Sequence, residues 1–165
     1  LDHPALERLA LRYVERFATT RARLTNYLIR KIRMRGWEGE SADPAALAER
    51  MADLGYIDDR AFGEAKAGAM ARRGLGARRV VGALRQAGIK GEDAEAIAPQ
   101  VAERALDAAI TFARRKRIGP FAQAQADRPV REKQIAAMLR AGHSPTLARR
   151  IVTMAPGDDI AEIEG

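Results

Sequence analysis

The chain has no cysteine in its 165 residues, which excludes disulfides, thiolate metal sites and thiol nucleophiles and suits a reducing, cytoplasmic setting. No apolar run approaches the roughly 20 residues that span a bilayer, and the opening LDHPALERLALRYVERF lacks the charged-then-apolar layout of a secretory signal, so no membrane partner is expected. Because the first residue is Leu1 rather than Met, residues can precede it. Aromatics make up only 5% of the sequence, against 47% hydrophobic and 31% charged residues with Ala and Arg abundant. That balance favours amphipathic helices over a β-sandwich, and the expected class is all-α. Only two histidines occur, His3 and His143, neither beside a nucleophile or second ligand in sequence. RGLGAR (73–78) has two glycines but not the spacing of a phosphate-binding loop, and no strand pattern precedes it. No catalytic, metal-binding or cofactor-binding residue is nominated, and the chain reads as a non-enzyme.

Acid is also missing, but only locally. The net charge is +7, which favours polyanions or acidic protein surfaces as partners. Residues 18–36 carry six basic side chains and no acid, whereas 37–58 carry six acids and one Arg. Residues 70–90 are again basic without an acid, and 91–110 hold five acids against Arg104.

That alternation accompanies an internal repeat. NYLIRKIRMRGW, RVVGALRQAGI and KQIAAMLRAGHS align on Gly36, Gly88 and Gly142. Ile29, Val81 and Ile135 stand seven residues before the glycine, and Ile32, Leu84 and Met138 four before, a spacing that predicts one apolar helical face. The glycine falls where a left-handed C-terminal cap is wanted, with Arg33, Arg85 or Arg140 in the last turn. Flanking helices are predicted over 5–17 and 44–54 in the first copy, 59–73 and 92–98 in the second, and 101–117 and 144–154 in the third. Asp43-Pro44 and Ser144-Pro145 read as caps followed by first-turn prolines. The expectation is three tandem three-helix repeats, 1–54, 55–99 and 100–156, in an elongated, curved chain, with a flexible acidic tail at 157–165. GPFAQAQADRP (119–129) reads as a loop, and the repeats offer no extra apolar stripe for self-association, so a monomer is expected.

LGYIDDRAF (54–62) falls at the junction of the first two repeats and raises the question of a paired-carboxylate site. Capping is the stronger reading: Asp58 as N-cap, Asp59 near the positive end of its own helix dipole, and Ile57 with Phe62 at the positions of a hydrophobic staple. With Tyr56, these residues would form a structural joint. Trp37, the sole tryptophan, is expected to pack between helices rather than to stack on a base. Candidate partner or nucleic-acid contacts are the basic faces: Arg30, Lys31, Arg33 and Arg35; Arg72, Arg73, Arg78, Arg79 and Arg85; and Arg114, Arg115 and Lys116. Their guanidinium forks suit phosphate and carboxylate alike, so charge does not choose between nucleic acid and an acidic protein.

Residues 54–89, LGYIDDRAFGEAKAGAMARRGLGARRVVGALRQAGI, resemble the core signature of the RecX family, bacterial regulators of the RecA recombinase. ALRYVERFATTRARLTNYLIRKIRMRGW (10–37) is similar to that family's opening repeat. The third repeat departs from the pattern, with Gly142-His143-Ser144 in place of the usual Gly-Phe-Ser, a longer 119–129 segment and an unmatched acidic tail. The resemblance implies a protein that binds RecA and its DNA filament along the groove and mainly inhibits recombinase, ATPase and co-protease activities in DNA repair and the SOS response. It also implies DNA binding without sequence preference. The rival reading is a helix-turn-helix transcriptional regulator, because REKQIAAMLRAGHSPTLARRIV (131–152) has helix, glycine turn and capped helix. Its second helix offers only Arg149 and Arg150 to read bases.

Overall fold

The computed structural model describes residues 1–163, in which eight α-helices and two short 3-10 turns occur and no strand. The helices are α1 (His3–Arg16), α2 (Arg21–Arg35), α3 (Pro44–Asp53), α4 (Asp59–Arg72), α5 (Ala77–Gln86), α6 (Gly91–Lys116), α7 (Arg128–Arg140) and α8 (Pro145–Val152). None is long and apolar enough to cross a membrane.

Six of the eight start on a side-chain cap. Asp2, Thr20, Asp43, Asp127 and Ser144 each accept a hydrogen bond from the backbone N–H three residues on, as does Asp58 from Ala61 at 3.0 Å. α5 is instead started by backbone from elsewhere: Gly76 N–H donates to the Ala141 carbonyl (2.8 Å) and Arg78 N–H to that of Gly142 (3.1 Å). Those contacts satisfy donors that would otherwise need a capping side chain.

Residues 1–65 and 84–97 form one compact unit; 66–83 and the chain from 98 onward form the other, and α4, α5 and α6 each run through both. In the first unit Leu6, Leu9, Ala10 and Val14 of α1, Leu24 and Leu28 of α2, and Leu47, Ala48 and Met51 of α3 share a core with Ile57. In the second, Ala109, Phe112 and Ala113 of α6 pack with Met138, Ala148, Ile151 and Val152 of α7 and α8.

Four expectations are corrected. The separate helices at 92–98 and 101–117 are one helix, α6, with Pro99 inside it. Pro99 and Glu95 are both exposed, so water can take the Glu95 carbonyl that proline leaves without an N–H partner. The segment 119–129 is a 3-10 turn (Gly119–Phe121) and a shorter loop, since Asp127 caps α7 and Arg128 and Pro129 already belong to it. The tail is folded rather than flexible as far as it is described: Ile160–Ile163 makes a 3-10 turn and Ile163, 5% exposed, enters the second core. Residues 164 and 165 lie outside the described residues. Finally, the buried face of α5 is not that of Val81. Val81 is 44% exposed, while Val80, Leu84 and Ala87 are buried, the i, i+4, i+7 face displaced by one residue.

Candidate partner interface

In the first unit the paired aspartates divide between two helices. Asp58 caps α4, its own helix. Asp59, only 8% exposed, turns to α2: its Oδ1 accepts the Arg21 backbone N–H (3.0 Å) and its Oδ2 the Arg21 Nε (3.3 Å). The carboxylate therefore sits at the positive end of α2, in addition to beginning α4. Arg21 also bonds both Glu49 carboxylate oxygens and lies 3.9 Å from Asp93, which Arg60 approaches at 3.1 Å. Burial pulls the Arg21 guanidinium down, but the bonds to Asp59 and Glu49 outweigh it and raise its pKa. Ile57 enters the core, Tyr56 is exposed, and Phe62 lies half-buried under the Arg23 guanidinium, 5.2 Å from its ring centre. No local pattern could have foretold the Asp59–Arg21 contact, which joins residues 38 apart.

The remaining cations of α2 are differently placed. Arg30, Arg33 and Arg35 are exposed, and neither they nor Lys31 form an ion pair among the described residues. One end of α2 is thus neutralised and the other is left open. Trp37 follows the helix, half-buried, its indole N–H donating to the Glu40 carbonyl and its ring meeting His3 edge-on.

The same kind of joint occurs in each unit. In the first, the turn before α2 meets the turn before α6: Thr20 Oγ1 donates to the Ala87 carbonyl, and a Cβ on Gly88 would lie 2.2 Å from Ala22 Cβ. In the second, the turn before α5 meets the turn before α8 through the Gly76 and Arg78 contacts and through His143, whose Nε2 lies 2.9 Å from the Gly74 carbonyl. Gly142 carries φ of +98°, and a Cβ there would lie 2.6 Å from the Arg79 backbone nitrogen. His143 is 2% exposed, and since the Gly74 oxygen can only accept, Nε2 carries the proton; Nδ1 is buried without a partner. Burial lowers the His143 pKa, against a smaller upward pull from the Gly74 carbonyl.

Several nominated arginines belong to this second joint. Arg115 Nη1 donates to the Arg73 carbonyl (2.8 Å) and Arg79 Nη1 to the Arg140 carbonyl (3.1 Å). Arg114 lies over Phe121 and Arg115 over Phe112, at 5.1 and 5.8 Å from the ring centres. Arg72 approaches Gly68, where the Arg104 guanidinium also lies. Arg78, Lys116 and, in the first unit, Arg85 are exposed. In α8, Arg149 is exposed and Arg150 reaches the Glu162 carbonyl at 3.4 Å. Among the described residues no group of His, Asp or Glu side chains is arranged to hold a metal ion.

No protein-family model matches the sequence. The chain is 34% identical over 163 residues to the regulatory protein RecX of Myxococcus xanthus (strain DK1622), with 92% of this chain and 86% of that protein covered. Its fold matches the crystal structure of a regulatory protein RecX with a TM-score of 0.62 at 19% identity, over 90% of this chain and 70% of that one. The second likeness is one of fold; the first is one of family, and the chain belongs to the RecX family of regulatory proteins.

Proposed function

We propose that this chain regulates the RecA recombinase, mainly as an inhibitor, by binding RecA and its DNA filament along the groove through its arginine-rich helices. The reading rests on family membership together with one observation: Arg30, Lys31, Arg33 and Arg35 form no ion pair among the described residues, whereas Arg21 on the same helix is held by carboxylates. A cluster of uncompensated cations meets the phosphates of filament DNA or acidic side chains of the recombinase, and its affinity falls with salt as counterions are released. The recurrence of one turn-to-turn joint, Thr20 on Ala87 and Gly74 on His143, supports a tandem-repeat organisation in which each repeat receives the glycine turn of the next. Such a monomer would work in the cytoplasm, without a cofactor and without catalysis of its own, and would modulate recombination, ATPase and co-protease activity in DNA repair and the SOS response.

The test is inhibition of RecA's DNA-dependent ATPase by sub-stoichiometric protein, beside duplex binding with scrambled sequences. Inhibition without sequence preference supports the reading; preference for one duplex and no effect on RecA refutes it in favour of a transcriptional regulator. Replacing Arg30, Lys31, Arg33 and Arg35 by Gln removes exposed contacts worth about 1–3 kcal/mol together, a roughly 5- to 150-fold loss of affinity for the filament. Unchanged inhibition would transfer the role to the arginines of the second unit.

A further inference from the structure

Tyr13, Phe17 and Tyr27 make a ladder of rings on α1 and α2. Tyr13 and Tyr27 stack with centroids 4.3 Å apart and planes 29° from parallel, and Tyr13 meets Phe17 at 5.1 Å with planes at 50°. Each outer ring carries a cation: the Arg16 guanidinium 5.4 Å from the Phe17 centroid, and the Lys31 ammonium 5.4 Å from that of Tyr27. The core does not account for the whole ladder. Tyr13 and Tyr27 flank it half-buried, but Phe17, the C-cap residue of α1, is 49% exposed and outside it. Arg16 and Lys31 form no ion pair among the described residues; the exposed Arg12 lies one turn before Arg16 on α1, and the exposed Arg30 lies one turn after Tyr27 on α2.

We propose that this ladder is a stacking platform for the unpaired bases of a single-stranded nucleic acid. A ring face accepts any base, so such a platform binds without sequence preference. The two cations sit on flexible stems, and as a base takes their place over Phe17 or Tyr27 they turn to the adjoining phosphates, where their charge is better used than over an aromatic ring. An acidic peptide would need the charges but not the exposed Phe17 ring backed by two more rings. A duplex would offer the phosphates but keep its bases inside. The ladder thus gives the chain a preference for single strands that needs no RecA, and it stands or falls separately from the filament reading.

The test is fluorescence anisotropy with the full chain and no recombinase, at one salt concentration, using a labelled oligothymidylate, an abasic strand of the same length and a duplex. The oligothymidylate should bind at least about fivefold more tightly than the abasic strand, the lower end of what one stacked base contributes. Phe17→Leu, which keeps apolar bulk but loses the ring, should abolish most of that difference and leave abasic binding unchanged, while Phe17→Trp should preserve or enlarge it. Equal affinity for the abasic and base-bearing strands, or for the duplex and the single strand, would overturn the proposal. So would a Leu variant that keeps the wild-type preference, or polyglutamate competing as well as the oligothymidylate at equal charge. RecA ATPase inhibition measured on the same variants reports on the filament reading by itself.

Discussion

Asp59→Ala tests whether the second aspartate serves α2 rather than its own helix. Its removal leaves the Arg21 backbone N–H, now at 3.0 Å from Oδ1, without an acceptor in a partly buried place. An unsatisfied donor of that kind costs about 1–3 kcal/mol. The ion pair adds little, because Arg21 is 40% exposed and keeps Glu49 as a partner at 3.1 Å; about 0.2–1 kcal/mol is the range for such pairs. The total, about 1–4 kcal/mol, is a large share of the about 5–15 kcal/mol that holds a domain together. Asp59→Asn separates the two contributions, since its amide oxygen still accepts the Arg21 N–H and only the charge is lost. Urea unfolding of both variants should place Ala at least about 1 kcal/mol below Asn. Asp58→Ala, which removes an exposed cap on α4 and leaves the Asp59–Arg21 bonds in place, should cost about 0.5–2 kcal/mol. Equal stabilities for Asn and Ala at position 59 would refute the assignment, since the backbone donor would then be of no consequence.

Unit 2 offers two further tests. His143 has a folded pKa below its unfolded value, near 6.5, so the unfolded chain binds the proton first as pH falls. The stabilisation is complete above about pH 6.5 and is lost as pH drops towards the folded pKa; melting temperature should fall between pH 7.5 and 5.5 in the wild type and much less in His143→Gln. A Gln variant with the same pH slope would assign the effect elsewhere. Gly142→Ala should cost at least about 1–3 kcal/mol, because φ is +98° and the new Cβ would press on the Arg79 nitrogen at 2.6 Å. Gly82→Ala, mid-helix in α5 with nothing within 4 Å, should instead stabilise by about 0.4–1 kcal/mol. Thermal melts of the pair should move in opposite directions.

Local chemistry was legible in the sequence wherever neighbours in the chain decide the outcome. Asp43-Pro44, Ser144-Pro145 and Asp58 each mark a helix start that the backbone confirms. The glycine stops are equally local: Gly88 and Gly142 have positive φ, and the following N–H closes back on the carbonyl of Leu84 or Met138 at 3.0 Å. The face of α5 was misread because two spacings compete. Val81 with Leu84 is an i, i+3 pair, but Val80, Leu84 and Ala87 form the longer i, i+4, i+7 stripe, and only burial shows which one meets the core. The gap expected between 92–98 and 101–117 does not open at Pro99, because the Glu95 carbonyl it leaves without an N–H is on an exposed stretch where water can take it. The Asp59–Arg21 bond, the His143–Gly74 bond and the Tyr13–Tyr27 stack join residues on different helices or turns, and composition carries no trace of them.

The basic composition also conceals a division of labour that bears on any experiment with these arginines. Arg21, Arg79 and Arg115 are tied to carboxylates or carbonyls of other helices or turns, so neutralising them would perturb packing as well as charge. Arg30, Arg33, Arg35, Arg78, Arg85 and Lys116 are exposed and make no ion pair among the described residues. A loss of activity on replacing Arg79 or Arg115 is therefore ambiguous unless stability is unchanged, whereas loss on replacing Arg33 or Arg85 reports on a partner. For a protein whose net charge is +7, the cations left uncompensated by the fold are the informative ones, and α2 concentrates more of them in consecutive turns than any other helix of the first unit.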